Sequence, residues 1–270
     1  MIFEVIILAA GQGARMCSKI PKVLHNVAGK PMLGHVIDSV KQLNPSAIHV
    51  VIGHGAEQIQ QKINDNDIHW AIQEQQLGTG HAVAQAMPEV AKNALVLVVY
   101  GDVPLVTSAT LAKMKELANS ATLSLLTVYL DDPTGYGRIV RNTSEEIIAI
   151  VEQKDANQEQ LTITEVNTGI LVAPADKLNS WLPELSSSNA QGEYYLTDIT
   201  AMAVKDGIHI KTHHPQHTME VMGANNRQQI ATLERYYQQQ QAAQIMASGT
   251  TLVDPNRIDI RGNLTVAKDV

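Results

Sequence analysis

With only one cysteine, Cys17, the chain excludes an intrachain disulfide, and it holds no CxxC pair or Cys/His set at zinc-ligand spacing. A reducing, cytoplasmic setting is expected. Aromatic residues make up only 4% of the 270, against 44% hydrophobic, so the core has to be assembled from Val, Ile, Leu, Ala and Met. That filling suits an α/β protein with a parallel sheet. No long apolar run opens the chain: Val5–Ala10 is too short for a signal h-region or a membrane span, has no basic residue before it, and runs into glycines. No membrane partner is expected. Acidic residues are missing between Val5 and Ile37, where Arg15, Lys19, Lys22 and Lys30 fall. In a chain of net charge −7 that segment reads as a local anion site or as a solvated basic face, while the overall charge excludes a general nucleic-acid binder.

What the sequence does have is alternation. Short β-branched runs at Val5–Ala10, Ala47–Ile52, Ile68–Ile72, Ala94–Tyr100 and Leu123–Leu130 are separated by helical patterns. Met32, Val36, Val40 and Leu43 form a stripe within 31–43, with Pro31 at the tolerated first helical position. Leu111, Met114 and Ala118 form another, behind Ser108 as the expected N-cap, and shorter helices are expected at 56–63 and 80–87. Strand, helix, strand repeated this way predicts a Rossmann-like, doubly wound, mostly parallel sheet with its ligand crevice at the carboxyl ends of the strands. Beyond Asp131 the strands shorten, near Ile139, 147–151, 169–173 and 208–212, which reads as a small β-rich lid on the same sheet. Helices are expected at 177–182, 195–205 and 225–247, the last with Gln238–Gln241 on its solvated side. Residues 258–270 have a roughly six-residue rhythm of small, apolar and Asp or Asn residues.

Two loops follow strands and carry chemistry. Leu8-Ala9-Ala10-Gly11-Gln12-Gly13-Ala14-Arg15-Met16 ends a strand in small residues, leaving backbone N–H groups to face phosphate oxygens, with Arg15 and Lys22 as cations. An ordinary βα turn fits the glycines equally well. A dinucleotide fingerprint fails because Met16 stands at the third glycine position, and a P-loop fails because Leu24 and Pro31 flank Gly29-Lys30 wrongly. Tyr100-Gly101-Asp102-Val103-Pro104 puts one carboxylate past a strand end, suited to a hard divalent ion that takes few protein ligands, or to a turn. His213, His214 and His217 are read as a solvated loop, since Pro215 breaks any helical ligand register; Trp70 and Trp181 are read as packing residues.

In order along the chain stand LAAGxGxRM with PKVL, QxxQLGTGHA from Gln73, YGDVPL from Tyr100, DDPTGYGRIV from Asp131, VEQKDA from Val151, EVNTGI from Glu165, NAQGEYYLTDI from Asn189 and GANNR from Gly223. Together they resemble the bacterial family of bifunctional N-acetylglucosamine-1-phosphate uridyltransferases and glucosamine-1-phosphate acetyltransferases, over the uridyltransferase half. The resemblance implies a nucleotide-diphospho-sugar transferase fold. It implies that Leu8, Ala9, Ala10, Gly11, Gln73, Gly78 and Thr79 hold uridine, Arg15 and Lys22 the phosphates, and Gly137, Glu152 and Asn167 the acetamido sugar. Tyr100 and Gly101 would join the substrate site, and Asp102 and Asn225, 123 positions apart, would meet at one Mg²⁺. UTP and N-acetylglucosamine 1-phosphate would give UDP-N-acetylglucosamine, a precursor of peptidoglycan and lipopolysaccharide, and pyrophosphate. The implied organisation is a pyrophosphorylase unit over 1–226, a helical linker over 227–250 and the start of a β-helix over 251–270. A full β-helix would trimerise the protein and carry acetyl transfer, an activity not expected of these residues. Ala14 departs from the Thr usual in the family.

Overall fold

The computed structural model describes residues 2–270. The first half runs β1 (Ile2–Leu8), a small hairpin of β2 (Asn26–Val27) and β3 (Lys30–Pro31), α1 (Met32–Lys41), β4 (Ala47–Ile52), α2 (Ala56–Ile63), β5 (Ile68–Ile72), α3 (Thr79–Ala86), β6 (Ala94–Tyr100), α4 (Ser108–Leu117) and β7 (Thr122–Tyr129). The second half adds β8 (Arg138–Arg141), β9 (Ile147–Val151), β10 (Glu165–Pro174), α5 (Ala175–Trp181), α6 (Ile199–Lys205), β11 (His209–His213) and α7 (Arg227–Ala247).

One nine-stranded sheet organises the molecule, with the order β11-β7-β10-β6-β1-β4-β5. β5, β4, β1 and β6 are parallel neighbours, and β11 is parallel to β7, whereas β10 runs antiparallel between β6 and β7. β8 and β9 join the same sheet by pairing off β10, so the lid grows from the main sheet as the sequence predicts. Both faces are covered. Val5 and Ile7 face the cluster shared with α1, α2 and α4, while Ile6 and Leu8 face the one shared with α3, α5 and α6. Burial on both sides explains why the central strands read as unbroken apolar runs rather than as alternating ones. Trp181 is buried in the second cluster and Trp70 packs against the first.

Three local expectations change. The N-cap of α4 is Thr107, whose hydroxyl accepts from the Thr110 N–H at 3.2 Å, and Ser108 is the first helical residue; two adjacent hydroxyl residues compete for the cap, and only one has extended backbone. Pro31 lies one position earlier than expected, as the cap of α1 rather than its first residue. Gln238 faces inward, only 2% exposed. Its amide donates to the Ile260 carbonyl at 2.9 Å and accepts from the Ile260 N–H at 2.7 Å, tying 251–270 to α7. Residues 251–270 form neither helix nor strand. The histidines also have structural partners: His213 ends β11, His214 contacts the Thr127 carbonyl at 3.0 Å, and His217 caps a short 3₁₀ turn at 218–221.

α7 packs Leu233 against Val27, Met32 and Ala224, and its Glu234 accepts from the Ala28 N–H at 2.5 Å. The long helix thereby pins the hairpin that follows Lys22.

Candidate active site

The carboxyl ends of β1, β5 and β6 open into one cleft of about 360 Å³. Leu8, Ala9, Ala10 and Gly11 line it from β1; Gln73, Gly78 and Thr79 from the turn after β5; Tyr100 and Asp102 from β6; Lys22 and Asn225 close it. The parallel order β4-β1-β6 sets this up, because it lays β1 between two strands that end at the same level. The Ala9 N–H bonds to the Val51 carbonyl and the Gly101 N–H to the Leu8 carbonyl, at 2.8 and 2.9 Å.

Lys22 is the centre of the charged end. Its ammonium donates to Asp102 Oδ2 at 2.5 Å and to Asn225 Oδ1 at 3.1 Å. Asp102 and Asn225 therefore meet at one cation position although they lie far apart in the chain. The Ala224 N–H donating to the Asp102 carbonyl at 3.0 Å locks the two segments together. An ammonium held by a carboxylate and an amide oxygen marks a site of hard oxygen donors, which suits a divalent ion whose remaining ligands are phosphates and waters. The glycine loop reaches Lys22 through Gly13, in the left-handed region at φ 63°, where an added Cβ would lie 2.7 Å from the Lys22 Cβ. Any side chain there would push the loop off the lysine stem.

The opposite end of the cleft is polar and pre-organised. Buried Gln73 donates to the Gly78 carbonyl at 3.1 Å and contacts His81 Nδ1 at 3.0 Å. The Leu196 N–H donates to Thr79 Oγ1 at 3.1 Å, and the Gly80 N–H to the Tyr194 carbonyl at 2.8 Å. These bonds press the 193–196 segment against the β5–α3 turn and bring Glu193 to the cleft.

Five expected residues do not line the cleft. Arg15 lies exposed on a 3₁₀ turn at 14–16, with no ion pair among the described residues. Gly101 is buried beneath the wall, where a Cβ would press on Leu33, Ala9 and Val23. Gly137, Glu152 and Asn167 gather beside it. The Asn167 N–H donates to the Gly137 carbonyl at 2.8 Å, and a Cβ on Gly137 would stand 3.3 Å from Glu152 Oε1. Glu152 accepts from the Thr197 hydroxyl at 3.1 Å and borders a separate cavity of about 270 Å³. Tyr100 links the two places: burial, then the charges of Glu152 and Asp102, push its phenol well above the ordinary value. Gly169, at φ 83°, lets that ring sit against β10, since any Cβ would lie 2.4 Å from it. Val23, Gln76, Ala82 and Glu193 line the cleft unforeseen. Gln76 and Glu193 stand inside motifs already singled out, so their signal was motif membership; Gln76 accepts from the Gln12 amide at 3.3 Å across the cleft.

Burial raises the Glu152 carboxyl above its ordinary value, with the Thr197 bond opposing and the carboxylates of Asp198, Asp155 and Glu193 adding. A raised carboxyl value means that ionising Glu152 costs folding free energy. The cost is absent well below pH 4.5, where both folded and unfolded forms are protonated, and it grows until the pH passes the raised folded value. Glu152→Gln keeps the acceptor for Thr197, so it should melt above wild type at pH 7–8, with the difference closing below about pH 4. Melting followed by circular dichroism across pH checks this; a constant or reversed difference would contradict it.

A model of the MobA-like NTP transferase domain matches residues 5–251. The chain is 56% identical over 270 residues to the bifunctional protein GlmU of Pseudomonas savastanoi pv. phaseolicola, covering 100% of this chain and 59% of that protein. It is 57% identical over 267 residues to the bifunctional protein GlmU of Marinobacter nauticus, covering 99% and 59%. The chain thus spans about three-fifths of the length of these curated relatives. A UDP-glucose pyrophosphorylase solved with UDP-glucose has the same fold, at TM-score 0.72 and 17% identity over 88% of this chain and 98% of that one. So does a nucleotidyl transferase from Methanothermobacter thermautotroptrophicus, at TM-score 0.63 and 18% identity over 87% and 97%. With a cleft at the carboxyl ends of a β4-β1-β6 sheet and a family model matched over 5–251, the chain belongs to the MobA-like NTP transferase family.

Proposed function

We propose that this chain transfers the uridylyl group of UTP to N-acetylglucosamine 1-phosphate, giving UDP-N-acetylglucosamine and pyrophosphate. The observation that carries this reading is the Lys22 ammonium held between Asp102 and Asn225 at one end of a cleft whose other end is the Gln73–Thr79 amide pocket. Cation-binding oxygens at one end and base-sized polar contacts at the other fit a nucleoside triphosphate laid along β1. The run of motifs from the glycine loop to GANNR, which resembles the bacterial uridyltransferase family, supports uracil as the base and the acetamido sugar phosphate as the acceptor.

A phosphate oxygen of the sugar phosphate attacks the α-phosphorus of UTP, one P–O bond forms, the bond to the β-phosphate oxygen breaks, and the pair leaves with pyrophosphate. No side-chain nucleophile is needed. The residues position the reactants and neutralise charge: Leu8 to Gly11 with Gln73, Gly78 and Thr79 hold uridine, and Lys22 and Arg15 take phosphate oxygens. Gly137, Glu152 and Asn167 take the sugar, and Tyr100 forms the wall between, backed by buried Gly101. Asp102 and Asn225 would hold Mg²⁺, which supplies Lewis-acid neutralisation of the triphosphate. The Lys22 ammonium, beside both residues, would neutralise phosphate oxygens at that end of the cleft. Residues 1–226 would carry the reaction, with 227–250 and 251–270 leading to a trimerising β-helix. The setting would be the cytoplasm, with the product feeding cell-wall synthesis.

A panel of nucleoside triphosphates and sugar 1-phosphates, read by pyrophosphate release, tests the proposal. Release should require UTP and N-acetylglucosamine 1-phosphate together and exceed every other pair by about 10²-fold. A different preferred pair would retain the fold and discard the substrates; no release with any pair would leave a binding module.

A further inference from the structure

We infer that Gln229, the third residue of α7, is a positioning residue that fixes Asn225 opposite Asp102. The inference rests on the cation-site reading above. Asn226 caps α7, its side-chain oxygen accepting from the Gln229 N–H at 2.9 Å. In the reciprocal arrangement common at helix starts, the third residue's side chain returns to the N–H of the cap itself. Here it reaches one residue further back: Gln229 Oε1 accepts from the Asn225 N–H at 2.7 Å. The capping device is displaced onto the residue whose own side chain faces Lys22.

A second anchor acts from the opposite side. The Ala224 N–H donates to the Asp102 carbonyl, and Gly223 lies so close that a Cβ there would stand 3.4 Å from Asp102 Oδ2. The Asn225 segment is therefore held from both directions, by the main-chain bond of Ala224 to the loop after β6 and by the Gln229 side chain in the first turn of α7. The Asn225 side-chain oxygen is left to face the Lys22 ammonium. Ala224 and Leu233 are buried together with Val27 and Met32, so α7 cannot turn without moving Asn225. Among its grips the Gln229 amide is the one made by a side chain, hence the one a substitution can remove without breaking the main chain.

The acceptor oxygen is what matters, so the test compares Gln229→Ala, which removes it, with Gln229→Glu, which keeps it. Hydrogen exchange at the Asn225 amide of the protein without metal or substrate should speed at least about tenfold in Gln229→Ala and return close to wild type in Gln229→Glu. In the uridylyl-transfer assay, Gln229→Ala should raise the half-saturating Mg²⁺ concentration about 10-fold, as expected for losing a partner one shell outside the metal. Its kcat at saturating Mg²⁺ should fall by less, and Gln229→Glu should restore both. A purely structural role would lower the melting temperature of Gln229→Ala and leave its Mg²⁺ dependence at the wild-type value, which would overturn the inference. So would an unchanged Asn225 exchange rate, or a defect that Gln229→Glu does not restore. If the wild-type chain makes no UDP-N-acetylglucosamine, the proposed reaction falls, while the exchange measurement still decides whether Gln229 holds Asn225.

Discussion

Asp102→Asn is expected to lower turnover by at least about 10³-fold while the protein folds as wild type does. The main-chain role of Asp102, accepting from the Ala224 N–H, does not depend on its side chain. An asparagine oxygen can still accept from Lys22, whose bond to Asp102 is partly solvated, with side chains 15% and 14% exposed. The stability change should therefore stay near 1 kcal/mol, roughly 2–4 °C in melting temperature for a chain of this size. What disappears is the one negative charge at the cation position. With a neutral ligand pair and the Lys22 ammonium close by, a divalent ion has little to hold it against the triphosphate. Asn225→Ala should lose less, since water can replace a neutral ligand. Turnover of Asp102→Asn within tenfold of wild type, in a protein with a wild-type melting curve, would remove Asp102 from the reaction.

Arg15→Ala should lower kcat by about 10²–10³, or roughly 2.7–4 kcal/mol of transition-state stabilisation, with almost no change in stability. Arg15 is exposed and makes no ion pair among the described residues, so its removal takes nothing from the folded state beyond about 0.5 kcal/mol. It nevertheless stands on the loop that packs on Lys22 through Gly13, one short turn from the charged end of the cleft. Its guanidinium would reach the phosphates if that loop closes over a bound triphosphate. Steady-state kinetics separates the possibilities: a raised KM for UTP with unchanged kcat would place Arg15 in ground-state binding and leave charge neutralisation to Lys22.

Much of this architecture was legible because the same physics writes both the pattern and the fold. Helix α2 spans the expected 56–63, and the central strands β1, β4 and β6 stand out as apolar runs because both of their faces are buried. Strand direction was not legible. Nothing in the periodicity of 165–174 says that β10 runs antiparallel between β6 and β7, because side-chain alternation is the same in either direction. Gln238 was misread for a related reason: in a glutamine run, composition cannot tell which residue meets the Ile260 backbone. For the cleft, residues on strand ends were found, since a sheet lays them side by side. Residues carried in by other segments were partly missed. Glu193 arrives only because Leu196 and Tyr194 bond to Thr79 and Gly80, while Gly137 just before β8, Glu152 just after β9 and Asn167 on β10 lie outside the main cleft.

Whether Asp102 and Asn225 together hold the ion of uridylyl transfer, at the position where Lys22 bridges them, is decided by a titration of turnover against Mg²⁺ for wild type, Asp102→Asn and Asn225→Ala. Half-saturating concentrations should rise from wild type through Asn225→Ala to Asp102→Asn, with excess Mg²⁺ restoring part of the lost turnover. Coincident half-saturating concentrations for all three proteins would contradict that assignment, and would place the catalytic metal elsewhere.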